Sequence, residues 1–266
     1  MTRACLTGLG VVFLLIPPFA SSQEDRDLLK EGVKQFHTAY QSWDAEGFLE
    51  AIQILEQASS ANPDDHLPYH WLGVTWFHVL VHRQGDEDQP IEKDEFQRLS
   101  SNAHHALDKA IKLNEADSEA HALLATIAGM EIARKPARGI WRGPAVLRHR
   151  QLALRHGKDN PRTQYLVGAA FVRGPESLGG VKKGLPYLHR AKDLFEEELS
   201  RAEKPMPSAP AWGYEHCLVL IGDVYARLGD PSKAEEYFRK ALTVNPDNDL
   251  AERRLNSLQR SKSGNE

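Results

Sequence analysis

Seven histidines fall between His66 and His121, and two pairs, His66/His70 and His78/His82, stand four residues apart. That spacing sets two imidazoles on one helix face. A zinc site needs three or four converging ligands. These pairs have no H-E-x-x-H arrangement and no carboxylate at an obvious ligand spacing. They read as surface histidines, with no metal and no cofactor expected. There is also no G-x-S-x-G, no G-x-x-x-x-G-K-[ST] and no G-x-G-x-x-G. RGPESLGGVKKG, from Arg173 to Gly184, is glycine-rich yet fits none of these and reads as a tight turn. The residues predict no enzyme.

Recognition chemistry remains. Aromatic and arginine side chains supply most of the energy in protein–protein contacts. Here they recur in four groups: Phe36, Tyr40 and Trp43; His70, Phe77 and His78; Tyr165 and Arg173; His216 and Arg227. Two readings stay open for the aromatic ones, a partner-binding groove or packing between helices. Two further stretches differ in charge. Arg83 to Glu95 is mainly acidic, whereas Ala133 to Arg150 has six Lys or Arg and no acidic residue, with Trp141 and Arg142 at its centre. A basic turn with an exposed tryptophan suits an acidic protein or an anionic membrane. The bland alternative packs Trp141 on the edge of the fold.

These residues must be positioned by helices. In the stretch from Val219 to Asn248, Ile221, Tyr225 and Leu228 form one amphipathic stripe, and Ala234, Tyr237, Phe238, Ala241 and Leu242 form a second. Gly229-Asp230-Pro231 divides them with a glycine stop, an N-cap and a first-turn proline. The result is a helical hairpin. Its Gly222, Tyr225, Ala234, Phe238, Ala241 and Pro246 resemble the tetratricopeptide repeat, W-x2-L-G-x2-Y…A-x3-F…P. Weaker copies run back along the chain. Ala39/Ala51 and Gly222/Ala234 are each 12 residues apart, and Ala51/Gly73, Ala103/Ala125 and Val146/Gly168 are each 22 apart. Variable spacing lies inside hairpins and is read as long turns, because joints between stacked hairpins tolerate little change.

The resemblance implies an all-α solenoid of about five hairpins: units 32–65, 66–116, 117–160, 161–205 and 215–248, a capping helix 249–260 and a flexible tail 261–266. It also implies a concave face lined by first helices, a non-enzymatic scaffold or adaptor, and a protein or peptide partner in an aromatic, basic groove. The alternative is a transporter-associated component that handles a small solute beside a solute-binding protein. The formal charge of −4 over 266 residues speaks against a general nucleic-acid binder.

Residues 1–22 read as a secretory signal peptide. Arg3 precedes an apolar run from Leu9 to Ile16, and Ala20-Ser21-Ser22 offers small residues for cleavage. The expected setting is the periplasm, with secretion or an uncleaved anchor as alternatives. The mature chain then keeps Cys217 alone, which excludes an intramolecular disulfide. The sequence leaves the oligomeric state open.

Overall fold

A computed structural model describes residues 23–85, 89–201 and 212–263. The expected signal peptide lies outside them, as do most of the proline-rich joint after Arg201 and the last residues of the tail.

Among the described residues the fold is all helical. Five antiparallel hairpins follow one another: α1 (Gln23–Ser42) with α2 (Ala45–Ala61), α3 (His66–Gly85) with α4 (Lys93–Leu113), α5 (Ser118–Arg134) with α6 (Gly139–His156), α7 (Pro161–Arg173) with α8 (Gly180–Arg201), and α9 (Tyr214–Arg227) with α10 (Pro231–Val244). A last helix, α11 (Asp249–Ser263), packs on α10 and buries Ala251 and Leu255. The first helices also pack in series, α1 on α3, α3 on α5, α5 on α7 and α7 on α9. They form an inner layer, which the second helices cover.

Four of the five hairpins close through a glycine. A Cβ on Gly73 would lie 2.4 Å from Leu107, one on Gly168 would lie 2.8 Å from Leu188, and one on Gly222 would lie 2.5 Å from Phe238. No real Cβ fits there without displacing the facing side chain. In the first hairpin the notch falls at Gly32, against Leu55.

The constant spacing between hairpins has a visible cause. Four joints are four-residue turns of one design: the amide of Asp65, Asp117, Asn160 or Asn248 donates to the carbonyl of Asn62, Asn114, Gly157 or Asn245, at 3.1–3.2 Å. The side chain of the last turn residue then caps the next helix, Asp65 on Leu67, Asp117 on Ala120, Asn160 on Thr163 and Asn248 on Ala251. An acceptor there satisfies amides that the first helical turn leaves open.

The basic stretch from Ala133 to Arg150 departs from its expected form as a long turn. After a short 3-10 turn at Pro136–Arg138 it is helix from Gly139 onward, with Pro144 inside α6. Gly139, Gly143 and Pro144 all suggest a break, but contact with α5 outweighs these local preferences. The Gly-Gly pair does reverse the chain, with Gly179 at φ 122° and Gly180 at φ 48°.

Gly168→Val and Gly222→Val are each expected to lower the unfolding free energy by about 1–3 kcal/mol in urea titration. Gly129→Ala in α5, where an added Cβ meets nothing within 4 Å, is expected to be neutral or to stabilise by up to about 1 kcal/mol.

Candidate functional site

The ends of α1 and α3 gather an aromatic and histidine cluster at the middle of the inner layer. His78 is its hub, with ring centroids 5.2 Å from Phe36, 5.2 Å from Tyr40, 5.4 Å from Phe77 and 5.0 Å from Trp212. Its Nδ1–H donates to the Val74 carbonyl at 2.8 Å. Burial pushes its pKa down to about 3, so the imidazole is neutral.

Trp43 joins this cluster in an unusual way. It follows α1 at φ 52°, in the left-handed region. The Asp44 amide reaches back to Ala39 O at 2.9 Å, just as Asp230 reaches Tyr225 O at 2.9 Å after α9. The fifth hairpin fills the equivalent position with Gly229, at φ 78°. A tryptophan there costs about 1–2 kcal/mol in backbone strain. Its ring offsets that cost by packing 5.8 Å from Phe48 and 5.1 Å from His216.

His216 belongs to the fifth hairpin, so the cluster joins the two ends of the solenoid. Tyr40 Oη and His216 Nδ1 are hydrogen-bonded at 2.6 Å, and the Gly213 amide donates to Tyr40 Oη at 2.9 Å. Asn245 Nδ2 adds a bond to the Gln41 carbonyl at 3.3 Å. Burial holds the Tyr40 phenol well above its ordinary pKa, so it remains a donor. Trp212, next to these bonds, is fully buried, and its Nε1 has no hydrogen-bond partner among the described residues.

A second polar centre lies at the joint edge. His70 Nδ1 meets Asp117 Oδ2 at 2.7 Å, and its Nε2 faces Glu119 Oε2 at 3.7 Å. Burial works against a charged His70, but Asp117 and Glu119 outweigh it and raise its pKa. For Asp117 burial is likewise outweighed, by His70 and the Ala120 amide, and its pKa is lowered. Both shifts describe an ion pair. With His66, Asn114 and Asn160 these residues line a pocket of about 270 Å3. Nearby, Arg162 is buried and binds Glu198 through both nitrogens, at 3.0 and 2.7 Å. Among the described residues no group of three or more His, Cys, Asp or Glu is placed to hold a metal ion, and no helix is long and apolar enough to cross a membrane.

The structure thus brings six sequence-derived candidates, Phe36, Tyr40, Trp43, Phe77, His78 and His216, into one cluster and buries most of it. Tyr165 is buried near Gly213. His70 sits apart, in the joint pocket. Arg173 and Arg227 are exposed, and Arg227 borders a cleft of about 820 Å3 between α8 and α9. Val181, Leu185, Pro186 and Leu228 give this cleft its apolar wall, and Glu176, Lys182, His189 and Arg227 also line it. Trp141 and Arg142 lie elsewhere, on α6, where Arg142 pairs with the buried Glu131 at 2.7 Å. Sequence reasoning missed Trp212, Asp117, Glu119 and Arg162. For Trp212 a signal existed, a lone tryptophan closing a proline-rich joint; the others are ordinary helix-start residues whose partners lie more than 30 positions away.

The tetratricopeptide repeat family model matches residues 217–248. Among solved structures, a thermophilic tetratricopeptide protein from Thermus thermophilus aligns at TM-score 0.62 and 15% identity, covering 88% of this chain and 98% of that one. The HusA haemophore from Porphyromonas gingivalis aligns at TM-score 0.61 and 18% identity, covering 79% and 96%. No curated protein sequence matches the chain. The likenesses show the fold: a tetratricopeptide-type α-solenoid.

Tyr40→Phe leaves the Gly213 amide and His216 Nδ1 without their partner and is expected to cost roughly 1–3 kcal/mol in equilibrium unfolding. The pH dependence follows from His78. The unfolded chain takes up a proton near the ordinary value of 6.5, and the folded one only at about 3. The unfolded state therefore binds more protons between these values, and stability falls as pH drops through that window. His78→Gln is expected to flatten this acid limb in urea titrations repeated from pH 7 to pH 4.

Proposed function

We propose that this tetratricopeptide-type solenoid is an exported, non-enzymatic scaffold of the cell envelope. It binds an extended protein segment in the cleft between α8 and α9. Tetratricopeptide solenoids commonly bind protein or peptide partners, and the N-terminal sequence supports export. One observation carries the choice of surface. The cleft is open, about 820 Å3 in volume and apolar along its wall, its charged lining is Lys182, Arg227 and Glu176, and Leu228 is 57% exposed. Most of the inner-layer aromatics are buried, so they set the curvature and hold the fifth hairpin in place. The arrangement suits a segment that places an acidic side chain beside an apolar one, with the apolar group anchoring and Lys182, Arg173 and Arg227 steering.

A second reading is the solute-handling component. The pocket around His70 favours it, because Asp117 and Glu119 outnumber the single His70 cation by one carboxylate, which a small cationic solute would balance.

The test is capture from an envelope extract, with the wild-type chain and a Lys182→Glu/Arg227→Glu variant as baits. The captured protein is then titrated against both. A partner that binds the variant at least tenfold more weakly, about 1.4 kcal/mol, supports the cleft. Equal affinity overturns it. If neither bait captures a protein and small amines raise the melting temperature of the wild-type chain but not of Glu119→Gln, the second reading replaces the first.

A further inference from the structure

Helix α6 differs from every other second helix. Of its eighteen residues only Ala153 is buried. Its outward face places Ile140, Pro144, Leu147 and Gln151 at three- and four-residue steps, with Trp141, Arg148 and Arg155 beside them at sevens; all seven are exposed. The apolar members are far more exposed than stability requires, Ile140 at 76%, Trp141 at 66% and Leu147 at 51%. Exposed apolar side chains grouped on one strip mark a contact surface.

Charge identifies the occupant. The sequence from Ile132 to Lys158 has eight Lys or Arg and no Asp or Glu, in a chain whose formal charge is −4. Some of these cations are engaged within the fold: Arg142 with Glu131, Arg134 over Phe96 and Arg150 over Phe171. Lys135, Arg138, Arg148 and Arg155 form no ion pair among the described residues, and the latter two share the outward face with the apolar strip. The strip is convex and lies along a single helix of about 27 Å. A convex strip gives a partner's side chains no pocket to fill. It does fit a plane. Trp, Ile and Leu enter the boundary between headgroups and acyl chains, while arginines reach the lipid phosphates.

We infer that α6 is a peripheral docking surface for an anionic lipid bilayer, lying parallel to it. The single strip is small, so binding depends on the attraction of its cations to anionic headgroups and weakens as salt screens it. The surface is separate from the α8–α9 cleft and does not depend on it.

The test is co-sedimentation of the full chain with vesicles of phosphatidylcholine containing about one third phosphatidylglycerol, and with vesicles of phosphatidylcholine alone. The expected result is binding to the anionic vesicles only, lost in 0.5 M salt and weakened at least tenfold both by Trp141→Ser/Leu147→Ser and by Arg148→Glu/Arg155→Glu. These side chains are exposed, so circular dichroism of the variants should match the wild type. On anionic vesicles the wild-type tryptophan emission shifts to the blue, and Trp141→Phe removes the shift. No binding, equal binding to neutral vesicles, or unchanged binding by the variants overturns the inference. Unchanged binding by the variants assigns the contact to the N-terminal apolar run, and no binding at all leaves the strip to an acidic protein.

Discussion

The structure depends on the close approach of two helices within each hairpin. Leu107, Leu188 and Phe238 each press into a notch where a glycine has no Cβ. The notch sets the distance between the helices. It also brings the flanking apolar residues into contact, and those contacts make each short amphipathic helix stable, since such helices are marginal alone. A hairpin buries only part of its apolar surface, so the next must stack on it. The four repeated joint turns, each ending in an Asp or Asn cap, fix that stacking to one register.

Repetition of the register brings the ends together. The inner layer turns until the end of α1 meets the start of α9, and Tyr40 bridges His216 and Gly213 across the gap. The strained Trp43 fits this picture. A glycine would relax the backbone there, as Gly229 does in the fifth hairpin, but it would remove the ring that packs between Phe48 and His216. The aromatic centre is therefore the tie between distant repeats, and neutral histidine within it is the penalty-free form at neutral pH.

Where the repeats deviate, surfaces open. In the third hairpin an added Cβ on Gly129 meets nothing within 4 Å, and the second helix has a single buried residue. Helix α6 packs on α5 and leaves its outward apolar strip uncovered. In the fourth hairpin, the turn through Gly179 and Gly180 starts α8 at the mouth of the cleft it forms with α9. Both candidate contact surfaces thus arise at departures from the regular repeat.

The repeat architecture was legible in the chain because it rests on local, periodic signals: the 12-residue step within hairpins, the 22-residue step between them, and Asn, Asp, Gly and Pro at helix ends. Burial was not legible. Phe36, Tyr40 and His78 have the same pattern whether the inner face is open or filled, and only the meeting of α1 with α9 fills it. The His70–Asp117 pair, 47 residues apart, and the Tyr40–His216 bond, 176 apart, exist because stacking brings remote turns together. The helical state of residues 139–150 was hidden for the opposite reason. Local preference there favours a break, and contact with α5 overrides it. Sequence alone determined the hairpins and their period, since both follow from neighbours within a few turns of helix. Tertiary structure alone decided which aromatic residues form the core and which stay exposed, because that choice depends on how far the stack curls before its ends touch.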